Sequence, residues 1–469
     1  MRYLSTRGDA PALSFDEVLL TGLARDGGLY VPESWPEFST AELNRMARLS
    51  YPDLAVTVMR PFMAGSAAEE RLPELVNRAY ASFAHRAVAP LKQLDSNLWL
   101  MELFHGPTLA FKDVALQLLG QLFEVVLEAQ DARVTIVGAT SGDTGSAAIE
   151  AVRGKERAKI FMLHPKDRVS EVQRRQMTTI EDDNVHNLAV AGSFDDCQDL
   201  VKAMFNDHAF RDRHRLSAVN SINWARIMAQ IVYYFSAALS LGAPGRPVSF
   251  SVPTGNFGNV YAGYAAKAMG LPIERLIVAS NKNDILTRFF DSGSMTIEGV
   301  EPSYSPSMDI QVSSNFERLL FDLTGRQGTE VTEIMQRFRK EGRFAVSDAA
   351  LARLRETFSG YRLDDEGTLA VIGAEQEASG ELLDPHSAIG VSAARVALPR
   401  LESPVVALAT AHPAKFPDAV EKASGIRPAL PERLADLYER PEYALDVEAG
   451  LDHIERLIDD SQSLTLQKS

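Results

Sequence analysis

The sequence predicts an α/β protein with doubly wound, mostly parallel sheets and an extra small N-terminal domain, and three observations carry that expectation. From about residue 130 onward, short runs rich in β-branched residues recur: Arg133 to Gly138, Lys159 to His164, Asn184 to Val190, Pro247 to Val252, Arg275 to Ser280 and, last, Pro404 to Ala409. None alternates polar with apolar residues, so each reads as a strand buried on both faces. Stretches with helical patterning, Ser170 to Ile180, Phe194 to Asn206, Ala225 to Leu241 and Asn259 to Met269, fall between them. The resulting β-α-β-α order implies a largely parallel sheet. Glycine-rich turns also stand where strands end and helices begin, which is where such sheets bind ligands.

The remaining segments divide the chain. Residues 1–90 contain Gly27-Gly28 and several prolines but no βαβ rhythm, and they read as a small domain or cap. Residues 91–425 are expected to form two interleaved α/β units around a cleft, a smaller one at about 100–220 and a larger one at about 221–425. Within the larger unit, 300–380 reads as mainly helical, for example from Ser347 to Phe358 and from Glu366 to Gly380. Residues 426–469 are expected to be a helical extension.

A chain of 469 residues suits about two or three packed units, each with its own core. Hydrophobic residues make up 45% and charged residues 24%, the balance of a soluble globular protein. The formal charge of −15 argues against nucleic acid as a partner, because a phosphate backbone demands a basic surface. The longest apolar-leaning stretch, Met228 to Ala243, is interrupted by Gln230, Ser236 and Ser240, and the N-terminus lacks a secretory apolar run. No membrane partner is therefore expected. One cysteine, Cys197, can form neither an internal disulfide nor a thiolate metal cage. That fits a cytoplasmic enzyme without a metal.

Two of the turns are candidate anion sites: Gly138 to Ser146, and Thr254-Gly-Asn-Phe-Gly-Asn259. A helix N-terminus offers unpaired amides and the positive end of the helix dipole, and glycine lets an anion approach the backbone. Glycine, serine and aspartate also cap helices in such turns with no ligand involved, so neither motif settles the matter singly. Neither has the spacing of a nucleotide fingerprint. Lys112 sits among Leu109, Phe111, Val114 and Leu116. Burial there would favour a neutral, nucleophilic amine, whereas taken alone the lysine reads rather as one that snorkels to solvent beside Asp113.

The constellation is more specific than its parts. A Phe-Lys lysine early in the chain, a Ser-Gly-x-x-Gly turn roughly thirty residues later and a Gly-Asn-Phe-Gly-Asn loop in mid-chain resemble the tryptophan-synthase-like class of pyridoxal-phosphate enzymes. Six segments resemble the longer-type threonine synthase family within that class: His105 to Asp113, Thr140 to Ser146, Asn220 to Ile227, Pro253 to Asn259, Asp384 to Gly390 and Ala409 to Phe416. Tyr3 to Asp9 and Gly27 to Pro32 resemble its N-terminal domain, so the likeness runs from near residue 1 to about residue 425.

The resemblance implies pyridoxal 5'-phosphate as cofactor, Lys112 as its Schiff-base lysine, and Gly255, Asn256, Phe257, Gly258 and Asn259 as the holders of its phosphate. It places Thr410 at the pyridine nitrogen and the turn of Ser141, Gly142, Asp143 and Thr144 at the substrate. The implied reaction converts O-phosphohomoserine and water to threonine and phosphate, with no obligate protein partner. A serine or threonine dehydratase is the alternative within the class, and a silent phosphate-binding protein is the alternative outside it. Arg226, Lys282 and Lys415 are candidate cations for the substrate phosphate, while His386 and His412 read as structural.

Overall fold

A computed structural model describes residues 1–219 and 221–462; Asn220, which opens one of the motifs, and the last residues of the extension, 463–469, lie outside the described residues. Two sheets dominate the fold. The larger has six strands in the order Phe358–Arg362, Ile273–Ser280, Val248–Pro253, Val405–Ala409, Leu98–Glu102 and Leu91–Asp95. All neighbours in it run parallel except the last pair, whose antiparallel strand closes an edge. The smaller is wholly parallel, in the order Leu445–Glu448, Val185–Ala191, Ala158–Pro165, Val134–Ala139 and Leu216–Ser217.

The six strands expected from the unalternating runs all form, because uninterrupted apolar runs can only be satisfied between two helical layers. Phe250, Val252, Leu276, Val278, Val406 and Leu408 are buried in the central core. On the opposite face of the same strands, Ile277, Ala279, Val405 and Ala407 pack against the helix Pro385–Ala397 in a second core.

Four strands differ from expectation. Leu91–Asp95 and Leu98–Glu102 join the larger sheet, so the smaller unit expected from about residue 100 takes its strands only from Val134 onward. Phe358–Arg362 is a strand at the end of a stretch that reads as helix, because sheet pairing with Ile273–Ser280 satisfies its backbone. The extension beyond residue 425 is not purely helical: Leu445–Glu448 adds an edge strand to the smaller sheet, and the helix Leu451–Asp459 packs beside Cys197 and Met204. Residues 1–80 form a two-stranded antiparallel sheet of Tyr3–Ser5 with Tyr30–Pro32 and four α-helices, and Tyr3 and Phe62 pack against Trp224. Among the described residues, no helix is long and apolar enough to cross a membrane, and no cluster of His, Cys, Asp and Glu could hold a metal ion.

Candidate active site

Lys112 is the first residue of the helix Lys112–Ala129, and its position is fixed from two directions. The loop before it is tied to the end of the strand Val405–Ala409: Phe111 N donates to Thr410 O at 2.8 Å, and His412 N donates to Leu109 O at 3.0 Å. Leu109 adopts the left-handed conformation (φ 64°) to make this crossing, a cost of about 1–2 kcal/mol that the surrounding contacts sustain. From the other side, the helix lies directly on the helix Asp143–Val152. A β-carbon on Gly120 would stand 2.1 Å from the carbonyl oxygen of Ala151, so only glycine permits this approach. The two helix starts, carrying Lys112 and Asp143, are thereby held side by side.

Lys112 is 8% exposed, and its Nζ donates to Asp143 Oδ2 at 3.1 Å. The other carboxylate oxygen, Oδ1, pairs with Lys415 Nζ at 2.8 Å and accepts from Gln173 Nε2 at 2.8 Å. Lys415 is fully buried and also donates to Thr108 O at 2.8 Å. Burial pulls the Lys112 amine below its ordinary value, with repulsion from Lys415 and Arg226 adding to the effect and Asp143 opposing it. Burial alone would raise the Asp143 carboxyl, but the two ammonium groups outweigh it and hold the group well below the usual carboxylate range. The result is an ionised carboxylate shared between two buried lysines.

Lys112 opens onto a cleft lined also by Thr144, Arg226, His386, Thr410 and the Gly255 to Asn259 loop. The loop leaves the strand Val248–Pro253 and ends in the helix Gly258–Ala268, with Phe257 left-handed (φ 61°) at the cap. It is braced from behind: Ser313 Oγ donates to Gly255 O at 2.8 Å, and Asn315 Nδ2 donates to Asn256 O at 3.0 Å. Asn259 Oδ1 accepts from the hydroxyls of Tyr233 and Tyr234, while its Nδ2 has no partner among the described residues.

The residues singled out in the sequence distribute unevenly around this cleft. Lys112, Gly255, Asn256, Phe257, Gly258, Asn259 and Thr410 all line it. Of Ser141, Gly142, Asp143 and Thr144, only Thr144 does. Ser141 is exposed, and Asp143 directs its carboxylate to the lysines rather than toward a substrate anion, which it would repel. Of the three candidate cations, Lys282 pairs with Asp365 at 2.9 Å away from the cleft, Lys415 is committed to Asp143, and Arg226 lines the cleft. His412 caps a short turn by accepting from Ala414 N at 3.1 Å. His386, which reads as structural in the sequence, lines the cleft: Asp384 holds its Nδ1 at 2.7 Å, and Nε2 has no partner among the described residues. The signal for it was the Asp384 cap two residues earlier, which fixes the ring.

The lining fits a phosphorylated aldehyde cofactor. Gly255 cannot carry a β-carbon, which would sit 2.6 Å from Ser307 O, so its backbone is bare toward the cleft. Arg226 and Asn259, each with unsatisfied donors, line the same cleft as the start of the helix Gly258–Ala268 and the buried Lys112 amine.

Fold and cleft define a pyridoxal-phosphate-dependent enzyme, and residues 84–411 match the family model described as "Pyridoxal-phosphate dependent enzyme". Residues 2–80 match "Threonine synthase N terminus" and residues 387–458 match "Threonine synthase, C-terminal". A threonine synthase from Pseudomonas aeruginosa is 59% identical over 443 residues, covering 94% of each chain. The crystal structure of PLP-bound threonine synthase from Brucella melitensis superposes with a TM-score of 0.95 at 53% identity, covering 98% of this chain and 99% of that one. The yeast threonine synthase structure gives 0.93 at 41% identity, with the same shares covered. The chain belongs to the threonine synthase family of pyridoxal-phosphate enzymes.

Proposed function

We propose that this chain converts O-phospho-L-homoserine and water to L-threonine and phosphate in the cytoplasm, with Lys112 as the residue that carries the cofactor and then moves the protons. The observation that carries the reading is the buried Lys112 amine, 3.1 Å from Asp143, in one cleft with the Gly255 to Asn259 loop. The single buried cysteine supports a reducing compartment.

Gly255, Asn256, Phe257, Gly258 and Asn259 would hold the cofactor phosphate through backbone amides and the Asn259 side chain, and Thr410 would offer the pyridine nitrogen a neutral hydroxyl. When bound, pyridoxal phosphate supplies an electron sink for negative charge at the substrate α-carbon. The chain supplies the rest. Lys112 Nζ, its ammonium form disfavoured by burial, would take the α-proton, give it up to the conjugated system that the bound cofactor supplies, and so be free to take a second proton from the β-carbon as phosphate leaves from the γ-carbon. The same amine returns that second proton to the γ-carbon, water then adds at the β-carbon, and reprotonation of the α-carbon completes threonine. Asp143 stays ionised throughout and aims the amine, with Lys415 as its second counter-charge. Thr144, the one residue of the Ser141 to Thr144 turn that lines the cleft, receives the substrate carboxylate through its hydroxyl, in the first turn of the helix Asp143–Val152.

The test is chemical. Borohydride treatment of the yellow holoenzyme should fix the cofactor to the peptide containing Lys112, and attachment to any other lysine would overturn the assignment.

A further inference from the structure

The run Asn315 to Arg318 stands behind the cleft, and its four side chains face two ways. Asn315 is fully buried; its backbone N and its Nδ2 both donate to Asn256 O, at 3.1 and 3.0 Å, and Nδ2 also donates to Ser221 O at 3.1 Å. Phe316 meets the Phe257 ring edge-on, with centroids 5.2 Å apart. Glu317 and Arg318 turn instead to the N-terminal residues. Arg7 donates to both oxygens of Glu317, at 3.0 and 3.1 Å, and Thr6 Oγ1 donates to Glu317 Oε1 at 2.6 Å. Arg318 Nε donates to Tyr30 O at 3.0 Å.

Arg318 links the two sets of contacts. It is fully buried, and its other two nitrogens donate to Asn315 Oδ1 and Ile222 O. Burying a guanidinium against uncharged oxygens costs more than filling the same space with an apolar side chain, so its worth lies in what the fork connects. Each nitrogen ends on a different segment: the N-terminal sheet, the cleft wall at Ser221 and Ile222, and the residue that braces the loop. The bond to Asn315 Oδ1 fixes the orientation of that amide, which leaves Nδ2 facing Asn256 O and Ser221 O. The loop needs such fixing. Phe257 is left-handed (φ 61°), which a bulky residue sustains only where its surroundings over-determine it, and the carbonyl just before it is the one that Asn315 holds twice.

We infer that Arg318 is a positioning residue of the cofactor site: acting through Asn315, it lets the N-terminal sheet hold the backbone of the Gly255 to Asn259 loop in the shape that receives the cofactor phosphate. This rests on the reading that the loop binds pyridoxal phosphate. Among the described residues, none of 1–80 lines the cleft. The N-terminal sheet acts from a distance, clamping the helix Phe316–Leu323 at Glu317 and Arg318 while Asn315, at the cap of that helix, bears on the loop.

The experiment titrates apoprotein with pyridoxal 5'-phosphate and, separately, with pyridoxal, following absorbance of the Lys112 adduct. Arg318→Met should weaken the phosphorylated compound roughly 10-fold, while pyridoxal changes less than about 2-fold. Asn315→Ala should weaken it at least as much, and the double variant should match Asn315→Ala within about 2-fold, because both substitutions break one link. Arg7→Met combined with Glu317→Met removes the buried ion pair as a unit and leaves neither charge unpaired, so the protein should fold and lose about 3-fold in the same selective way. That pair carries the test if Arg318→Met does not fold. Equal weakening of both compounds would make Arg318 a residue of general stability and overturn the inference. Additive losses at Asn315 and Arg318 would overturn it too, since Arg318 would then act by another route. If wild type itself bound pyridoxal as tightly as pyridoxal phosphate, the loop reading would fail; if wild type discriminates and the Arg318 and Arg7/Glu317 variants discriminate equally, only the positioning role fails.

Discussion

Lys112 and Asp143 lie 31 residues apart in sequence and meet at 3.1 Å, with Lys415 closing on the opposite oxygen of the same carboxylate at 2.8 Å. Removing the carboxylate would leave two buried ammonium groups facing each other. Asp143→Asn should therefore destabilise the protein by about 3 kcal/mol or more and reduce kcat. Adding Lys415→Met to that variant should restore much of the melting temperature but not the activity. A melting temperature that does not move in Asp143→Asn would contradict the charge-sharing arrangement.

Gly120 sets the distance between the two helices that present this pair. Gly120→Ala should push a methyl against the Ala151 carbonyl and cost about 1–3 kcal/mol, despite alanine's better helix propensity. Activity should fall more than stability alone accounts for, because Lys112 and Asp143 move apart together. Thermal melts and kcat on the same preparation measure both, and a gain in stability would refute the close approach.

Much of this was legible in the sequence because the signals were local. The unalternating runs at Val134, Ala158, Val248 and Val405 need only their own side chains to declare two buried faces. Lys112 and Gly255 to Asn259 stand out by motif, and they line one cleft. What escaped depended on contacts distant in sequence. The strand Leu445–Glu448 exists because the smaller sheet offers an open edge at Val185–Ala191. Asp143 reads as part of a substrate turn, and nothing near it announces Lys415, 272 positions later, as its second partner. His386 and Arg226 each look like ordinary polar residues until the fold buries them with unsatisfied nitrogens.

Asp113, next to the lysine, gives a pH signature. It is fully buried and accepts from Thr108 N at 2.8 Å, and burial raises its carboxyl from 3.8 to about 6. Between those values the native protein holds a proton that the unfolded chain has released, so stability attributable to this group falls as pH rises from about 4 to 6. The full effect is roughly 3 kcal/mol. Comparing melts of wild type and Asp113→Asn across pH 4–7, wild type should lose stability relative to the variant through that window. A difference that stays constant with pH would contradict the assignment.

The two glycines of the Gly255 to Asn259 loop should respond unequally. At Gly255 a β-carbon meets the Ser307 carbonyl at 2.6 Å, backbone that cannot yield, whereas at Gly258 it meets the Asn315 side chain at 3.3 Å. Gly255→Val should strip the cofactor almost completely, and Gly258→Val should weaken it less, with the fold retained in both. Cofactor absorbance after dialysis reports the occupancy, and unchanged occupancy in both variants would reduce the loop to a turn.

The central claim is that Lys112 in this cleft carries out elimination at the γ-carbon and water addition at the β-carbon, and isotope placement in the product tests it most directly. Holoenzyme given O-phosphohomoserine in deuterium oxide should release one phosphate per threonine formed, and the threonine should carry solvent label at both the α- and γ-carbons, since both are reprotonated after phosphate departs. Homoserine, which lacks the phosphate, should turn over slowly or not at all. Threonine labelled only at the α-carbon, or a keto acid in its place, would contradict the account.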